Sequence, residues 1–196
     1  GYDTSYGDWT TTKRFLITSG MEPYPSNAIM DIGEANMGDP NTLIDFVEWA
    51  VDNYPAEHYC LVLWDHGSGW KNRDNIKGVC YDDSDWDALT TSELKYAMSA
   101  IKSYIGENID IVGFDACLMG MIEVYYEMRN TVDIGIGSEE TEPWDGWPYD
   151  SILSALSATP SMTPSQLATE SVNDYISFYG YSSGETMAAF NISLLF

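Results

Sequence analysis

The chain has 196 residues, with 8 Lys+Arg against 31 Asp+Glu and a formal charge of −23, whereas small soluble domains usually carry a net charge of magnitude roughly 2–8. So acidic a surface repels phosphates and anionic lipid, which excludes nucleic acid and membrane surfaces as partners, and it favours basic peptides and cations. A hydrophobic content of 44% and an aromatic content of 14% supply a core and exclude disorder; no run reaches the ~18–20 apolar residues of a membrane span.

Residues 1–14 read as a polar, aromatic loop and 15–18 (FLIT) as a short strand. Residues 19–38 show no sustained period. Asp39-Pro40 then reads as a helix cap followed by proline at the first helical position. Leu43, Phe46, Val47 and Ala50 follow at helical spacing, which predicts a helix over 40–53, stopped by Pro55. The apolar run YCLVLW (59–64) predicts a strand buried on both faces. Residues 70–91 read as one long polar loop, the kind usually tied to function or mobility. A helix capped by Thr91 or Ser92 runs through Tyr104, and IDIVGF (109–114) is a second buried strand. A helix follows Cys117 through Arg129, and DIGIG (133–137) is a third strand. Helices over 150–158 and 163–179 and a last strand over 186–195 complete the pattern.

Apolar strands alternating with helices predict an α/β fold: a mostly parallel sheet with helices on both faces. Ligands of such sheets sit beyond the carboxyl ends of the strands, where His66, Cys117 and Glu139 all fall. His66 and Cys117 are the first candidate pair, because a cysteine nucleophile needs a nearby imidazole to hold its proton. Cys117 is expected to open a helix, whose free N–H groups would serve an oxyanion together with that of Gly67. Asp115, two residues before Cys117, is placed to bind an Arg or Lys side chain. The same residues also fit a plainer pattern: a buried structural cysteine, a capping histidine and an aspartate capping the next helix.

Other constellations are weaker. Gly180-Tyr181-Ser182-Ser183-Gly184 matches G-x-S-x-G, but the nucleophile elbow needs strand, turn and helix, and here a helix precedes and a strand follows. Asp82, Asp83, Asp85 and Asp87 offer oxygen ligands to calcium without the EF-hand pattern. His58, Cys60, His66, Cys80 and Cys117 lack zinc-ligand spacing. Glu139, Glu140, Glu142 and Asp145 read as residues that shape a pocket or lie at the surface rather than as a glycosidase pair. Three cysteines cannot build a disulfide framework.

The segments GEANMGDPNTLIDFVEWA (33–50), HYCLVLWDHGSGW (58–70), DIVGFDACLMG (110–120) and, more loosely, GSEETEPWDGWPYD (137–150) resemble the clostripain family of cysteine peptidases, whose domain is caspase-like. The His-to-Cys interval of about 50 residues also suits caspase-type enzymes. The resemblance implies a caspase-like fold over 1–196 as a single domain and a catalytic dyad of His66 and Cys117. It implies that Asp115 faces the P1 residue, giving cleavage of basic peptides or proteins after Arg or Lys, and that the chain can be cut by itself after His66. Lys71, Arg73 and Lys77, three of its eight basic residues, lie there. No cofactor is required; calcium is compatible, and the metal ligands, if any, are unknown. Family domains begin with a strand and helix upstream of the matching region, so the expectation is a fragment or mature product short of N-terminal elements.

High Tyr, Trp, Asp and Thr with little Lys marks an exported protein, secreted or held at the cell envelope, whose signal peptide is not in this chain. The alternative is a catalytically inactive acidic binding module on the same fold.

Overall fold

The computed structural model describes residues 9–70, 78–180 and 184–195, and the chain divides into two compact units, Gly1–Asn36 and Met37–Phe196. In the first, β1 (Thr12–Arg14) pairs antiparallel with β2 (Met30–Gly33), and Lys13 forms an ion pair with Asp31. The strand expected over 15–18 is displaced: the pairing residues are the three before it. β2, in a stretch without period, was not foreseen.

The second unit opens with α1 (Pro40–Asn53), where the Asp39 carboxylate accepts the Asn41 N–H at 2.8 Å and Pro40 occupies the first turn. Its Ile44 and Val47 are buried. β3 (Cys60–Trp64) follows, then a hairpin of β4 (Gly78–Asp82) and β5 (Asp87–Thr90). Where a long polar loop was expected over 70–91, residues 78–90 form this hairpin and bury Val79, Ala88 and Leu89. A bulge in β4 falls at Cys80, whose φ is +56°, which breaks the alternation by which the strand would be recognised. α2 (Thr91–Ile105) starts one residue earlier than read, because Thr90 and Glu93 form a reciprocal capping box. β6 (Ile109–Asp115), α3 (Ile122–Met128), β7 (Val132–Gly137), α4 (Tyr149–Ala158), α5 (Pro164–Tyr179) and β8 (Ala188–Asn191) complete it.

Strand order is β3-β6-β7-β8, with the first three parallel and β8 antiparallel to β7. One core joins side chains of α1, α2 and α3 to the sheet through residues such as Ile44, Leu94, Ile101, Val112, Phe114 and Tyr125. A second, with Ile111, Ile134, Ile136, Trp147, Ile152 and Tyr175, lies under α4 and α5. Burying each such side chain contributes roughly 1.5–3 kcal/mol, so these two cores on opposite faces are what hold the parallel strands. β6 is central and almost wholly buried, as its apolar run predicts. β3 is the outermost strand of the described sheet, and its Trp64 is 59% exposed, so the expected burial on both faces does not hold there.

Candidate active site

The register of two parallel strands positions the leading pair. β3 and β6 are in register from Cys60 opposite Ile111 to Trp64 opposite Asp115, a constant offset of 51. The ladder continues one step, with Asp65 N–H donating to the Asp115 carbonyl at 3.4 Å. Carrying the same offset two residues past the paired ends sets His66 level with Cys117. Gly67 makes the approach possible: a Cβ there would lie 2.3 Å from the Cys117 carbonyl oxygen and 2.8 Å from Met119 Cγ. The segment after His66 therefore lies directly on the backbone of Cys117. His66 is exposed and Cys117 half-buried.

Cys117 does not open a helix. It sits in a turn; Leu118 has φ +63°, and α3 starts only at Ile122, capped by Met121 without a side-chain bond. The reason is lateral pairing. Leu118 N–H donates to the Glu140 carbonyl (2.9 Å) and Gly120 N–H to that of Ser138 (2.7 Å), so this stretch is tied to the chain leaving β7. The same zipper carries Glu142 N–H onto Cys117 Sγ at 3.2 Å. A helix dipole is thus not what faces the sulfur; one amide hydrogen is. The other thiols are placed differently. Cys60 stands at the opposite end of β3, and burial, aided by the charge of Asp65, pushes the Cys80 thiol up to about 12.

Asp115 is 3% exposed at the last position of β6. Its Oδ2 accepts Trp147 N–H at 3.2 Å and Tyr149 OH at 2.8 Å. It is not a helix cap, since its bonds run across to the start of α4. Burial, then the negative charge of Asp115, drives the Tyr149 phenol upward, so that hydroxyl keeps its proton and donates. Trp147 lies in the space left by the missing side chain of Gly113 and is 5% exposed.

Glu142 was legible only as one acidic residue among four. Both of its carboxyl oxygens are buried without a hydrogen-bond partner of ordinary geometry. Desolvation, followed by the charge of Asp115, raises it from 4.5 to about 9, so it is a neutral acid at pH 7. Glu139 and Glu140 are exposed. Asp82 has one oxygen bonded to Ser84 and Asp85 N–H groups and the other to Met37 N–H, so it organises the β4–β5 turn. Lys71, Arg73 and Lys77 lie outside the described residues, as do Ser182 and Ser183 of the G-x-S-x-G match.

A mostly parallel sheet between two helical layers, with a cysteine at the tip of its central strand, defines a caspase-like architecture. The chain belongs to the clostripain family, peptidase family C11, whose model matches residues 27–195. It is 32% identical over 149 residues to clostripain of Hathewaya histolytica, a match covering 71% of this chain and 28% of that protein. Among solved structures it is similar to a secreted C11 cysteine protease from Bacteroides thetaiotaomicron bound to an irreversible peptide inhibitor. There the TM-score is 0.69 and identity 27%, over 85% of this chain and 49% of that one. An inactive zymogen C11 protease from Parabacteroides distasonis shares the fold, with a TM-score of 0.66 and 24% identity over 85% of this chain and 44% of that one. The chain thus spans about half or less of the length of these relatives.

Proposed function

We propose that this chain carries the catalytic centre of a cysteine endopeptidase that cleaves peptide bonds after Arg or Lys. One observation supports the reading: the offset between paired residues of β3 and β6 equals the separation of His66 and Cys117, so both residues leave hydrogen-bonded strands at the same edge of the sheet. Cys117 Sγ attacks the scissile carbonyl carbon, its proton held by His66. The imidazolium returns that proton to the departing amine, leaving a thioester on Cys117. Water then attacks the thioester while His66 accepts its proton, and the carboxylate product leaves. The N–H groups of Gly67 and Cys117 face the developing oxyanion, and Asp115 pairs with the basic P1 side chain. The reaction as proposed calls on no metal or organic cofactor.

The charge of −23 supports a preference for basic peptide or protein substrates, since an acidic surface steers cations toward it. Secretion is part of the proposal; it agrees with the composition and with a relative described as secreted. No helix among the described residues is long and apolar enough to cross a membrane. Self-cleavage near Lys71, Arg73 or Lys77 belongs to the proposal as well, in keeping with a neighbour described as a zymogen. Cys117→Ala should abolish hydrolysis of an Arg ester and labelling by a thiol-reactive probe with Arg at P1. Turnover unchanged in that variant would refute the dyad and leave the acidic binding module.

A further inference from the structure

Next to Asp115 lies a group of buried polar atoms that the proposed chemistry leaves idle. Both carboxyl oxygens of Glu142, the indole Nε1 of Trp147 and the hydroxyls of Tyr125 and Tyr175 are buried without a hydrogen-bond partner of ordinary geometry. Trp147, Tyr125 and Tyr175 are 5%, 0% and 1% exposed. Buried polar groups are nearly always paired, so a cluster of orphans around one carboxyl marks a place built for something else.

The groups that face Glu142 define what that is. Asp115, at the end of β6, is hydrogen-bonded to it; Tyr149 of α4, Tyr175 and Tyr179 of α5 and Tyr125 of α3 lie within its electrostatic reach, and Glu185, Glu139 and Asp145 add negative charge around these tyrosines. Every one is acidic or neutral. Glu142 is hydrogen-bonded to the Asp115 carboxyl, which favours its protonated form, and weaker contacts with the Trp147 indole and the Ala116 backbone only partly offset this. None of these groups supplies a counter-charge for the two carboxyls, were both ionised. The backbone of the same residue holds the nucleophile, through Glu142 N–H on Cys117 Sγ at 3.2 Å. A cation beside Glu142 would thus lie close to the reacting sulfur.

We infer that Glu142 is a second specificity-determining carboxyl of the P1 pocket, which shares an incoming guanidinium or ammonium group with Asp115. This rests on the reading of Asp115 as the P1 partner. On entry the Glu142 O–H bond breaks, its proton passes to solvent, and the two carboxylates share the incoming cation. Adjacent carboxyls in a buried site do not both ionise without such a partner. The arrangement disfavours neutral P1 residues, which would leave Glu142 protonated and its neighbours unpaired.

The test is calorimetry of the protein with agmatine, a guanidinium probe, at pH 7 in buffers of different ionisation enthalpy. Wild type should release about one proton per agmatine bound. Glu142→Gln should release close to none, bind agmatine roughly tenfold to hundredfold more weakly and lose kcat/KM for an Arg ester by a similar factor, while melting no lower than wild type at pH 5. Glu142→Asp keeps a carboxyl and should restore part of the proton release. Absence of agmatine binding, binding without proton release, or Glu142→Gln affinity within twofold of wild type would overturn the inference. Asp115→Asn separates the two levels. If it removes Arg preference while Glu142→Gln does not, only the role of Glu142 fails; if it leaves Arg preference intact, the P1 pocket itself is misassigned.

Discussion

Replacing Asp115 by Asn removes one charge and almost no volume. The amide oxygen of Asn can still accept Trp147 N–H and Tyr149 OH, which now reach Oδ2 at 3.2 and 2.8 Å, so the fold should lose no more than about 1 kcal/mol. A buried cation that loses its partner costs roughly 3–5 kcal/mol. At 1.4 kcal/mol per tenfold, kcat/KM for an Arg substrate should fall by roughly 10²-fold to 4 × 10³-fold, with a neutral-P1 substrate changed by less than about threefold. Asp115→Ala is the structural control. It strands a buried N–H and a buried hydroxyl at about 1–3 kcal/mol each, a large part of the ~5–15 kcal/mol that holds a domain together. The assay is steady-state hydrolysis of paired esters differing only at P1, alongside thermal melting of both variants. Equal loss toward both esters in Asp115→Asn, or a melting point as low as that of Asp115→Ala, would refute the P1 role and make the aspartate a purely structural hub.

Two further outcomes follow from packing and charge. Glu142 is held protonated in the folded state and ionises at 4.5 in the unfolded chain, so its contribution to stability is complete below pH 4.5 and is lost as pH rises toward about 9. Denaturant unfolding should show Glu142→Gln matching wild type at pH 5 and exceeding it by at least about 1 kcal/mol at pH 8.5; parallel profiles would contradict the buried-acid assignment. Gly113→Ala places a methyl 2.6 Å from Trp147 Cη2 and 3.3 Å from Val62 Cγ2. That overpacking of about 1–3 kcal/mol should lower the melting temperature by roughly 2–12 °C and shift tryptophan emission; unchanged melting and emission would mean that Trp147 does not fill that space.

What the sequence made legible was whatever is written in local chemistry. Asp39-Pro40 at one end and Pro55 just beyond the other bracketed α1 to the residue, and the apolar runs before His66 and Cys117 located β3 and β6. Their shared exit from one sheet edge followed from strand direction alone. The β4–β5 hairpin escaped notice because its turn is made of aspartates and its bulge at Cys80 interrupts the alternation. The helix expected from Cys117 had a convincing apolar period, but tertiary hydrogen bonds to Ser138 and Glu140 outweighed that local preference and delayed α3 to Ile122. Glu142 was hidden for a related reason. Nothing in SEETEPWDGW distinguishes its carboxyls; only the course of that loop over Asp115 leaves one of them dry and unpaired.

The bonds that join Ser68 to Gly78 have a bearing on what a nick between them would do. Ser68 N–H donates to the Gly78 carbonyl, Gly78 N–H returns a bond to the Ser68 hydroxyl at 3.0 Å, and Gly67 bridges Val79. Hydrolysis anywhere between these two anchors would therefore create new chain ends that are already stitched to each other. Fragments separable under denaturing conditions would travel as one particle in native buffer, and Gly67 would stay against the backbone of Cys117 although no peptide bond ran uninterrupted from one to the other.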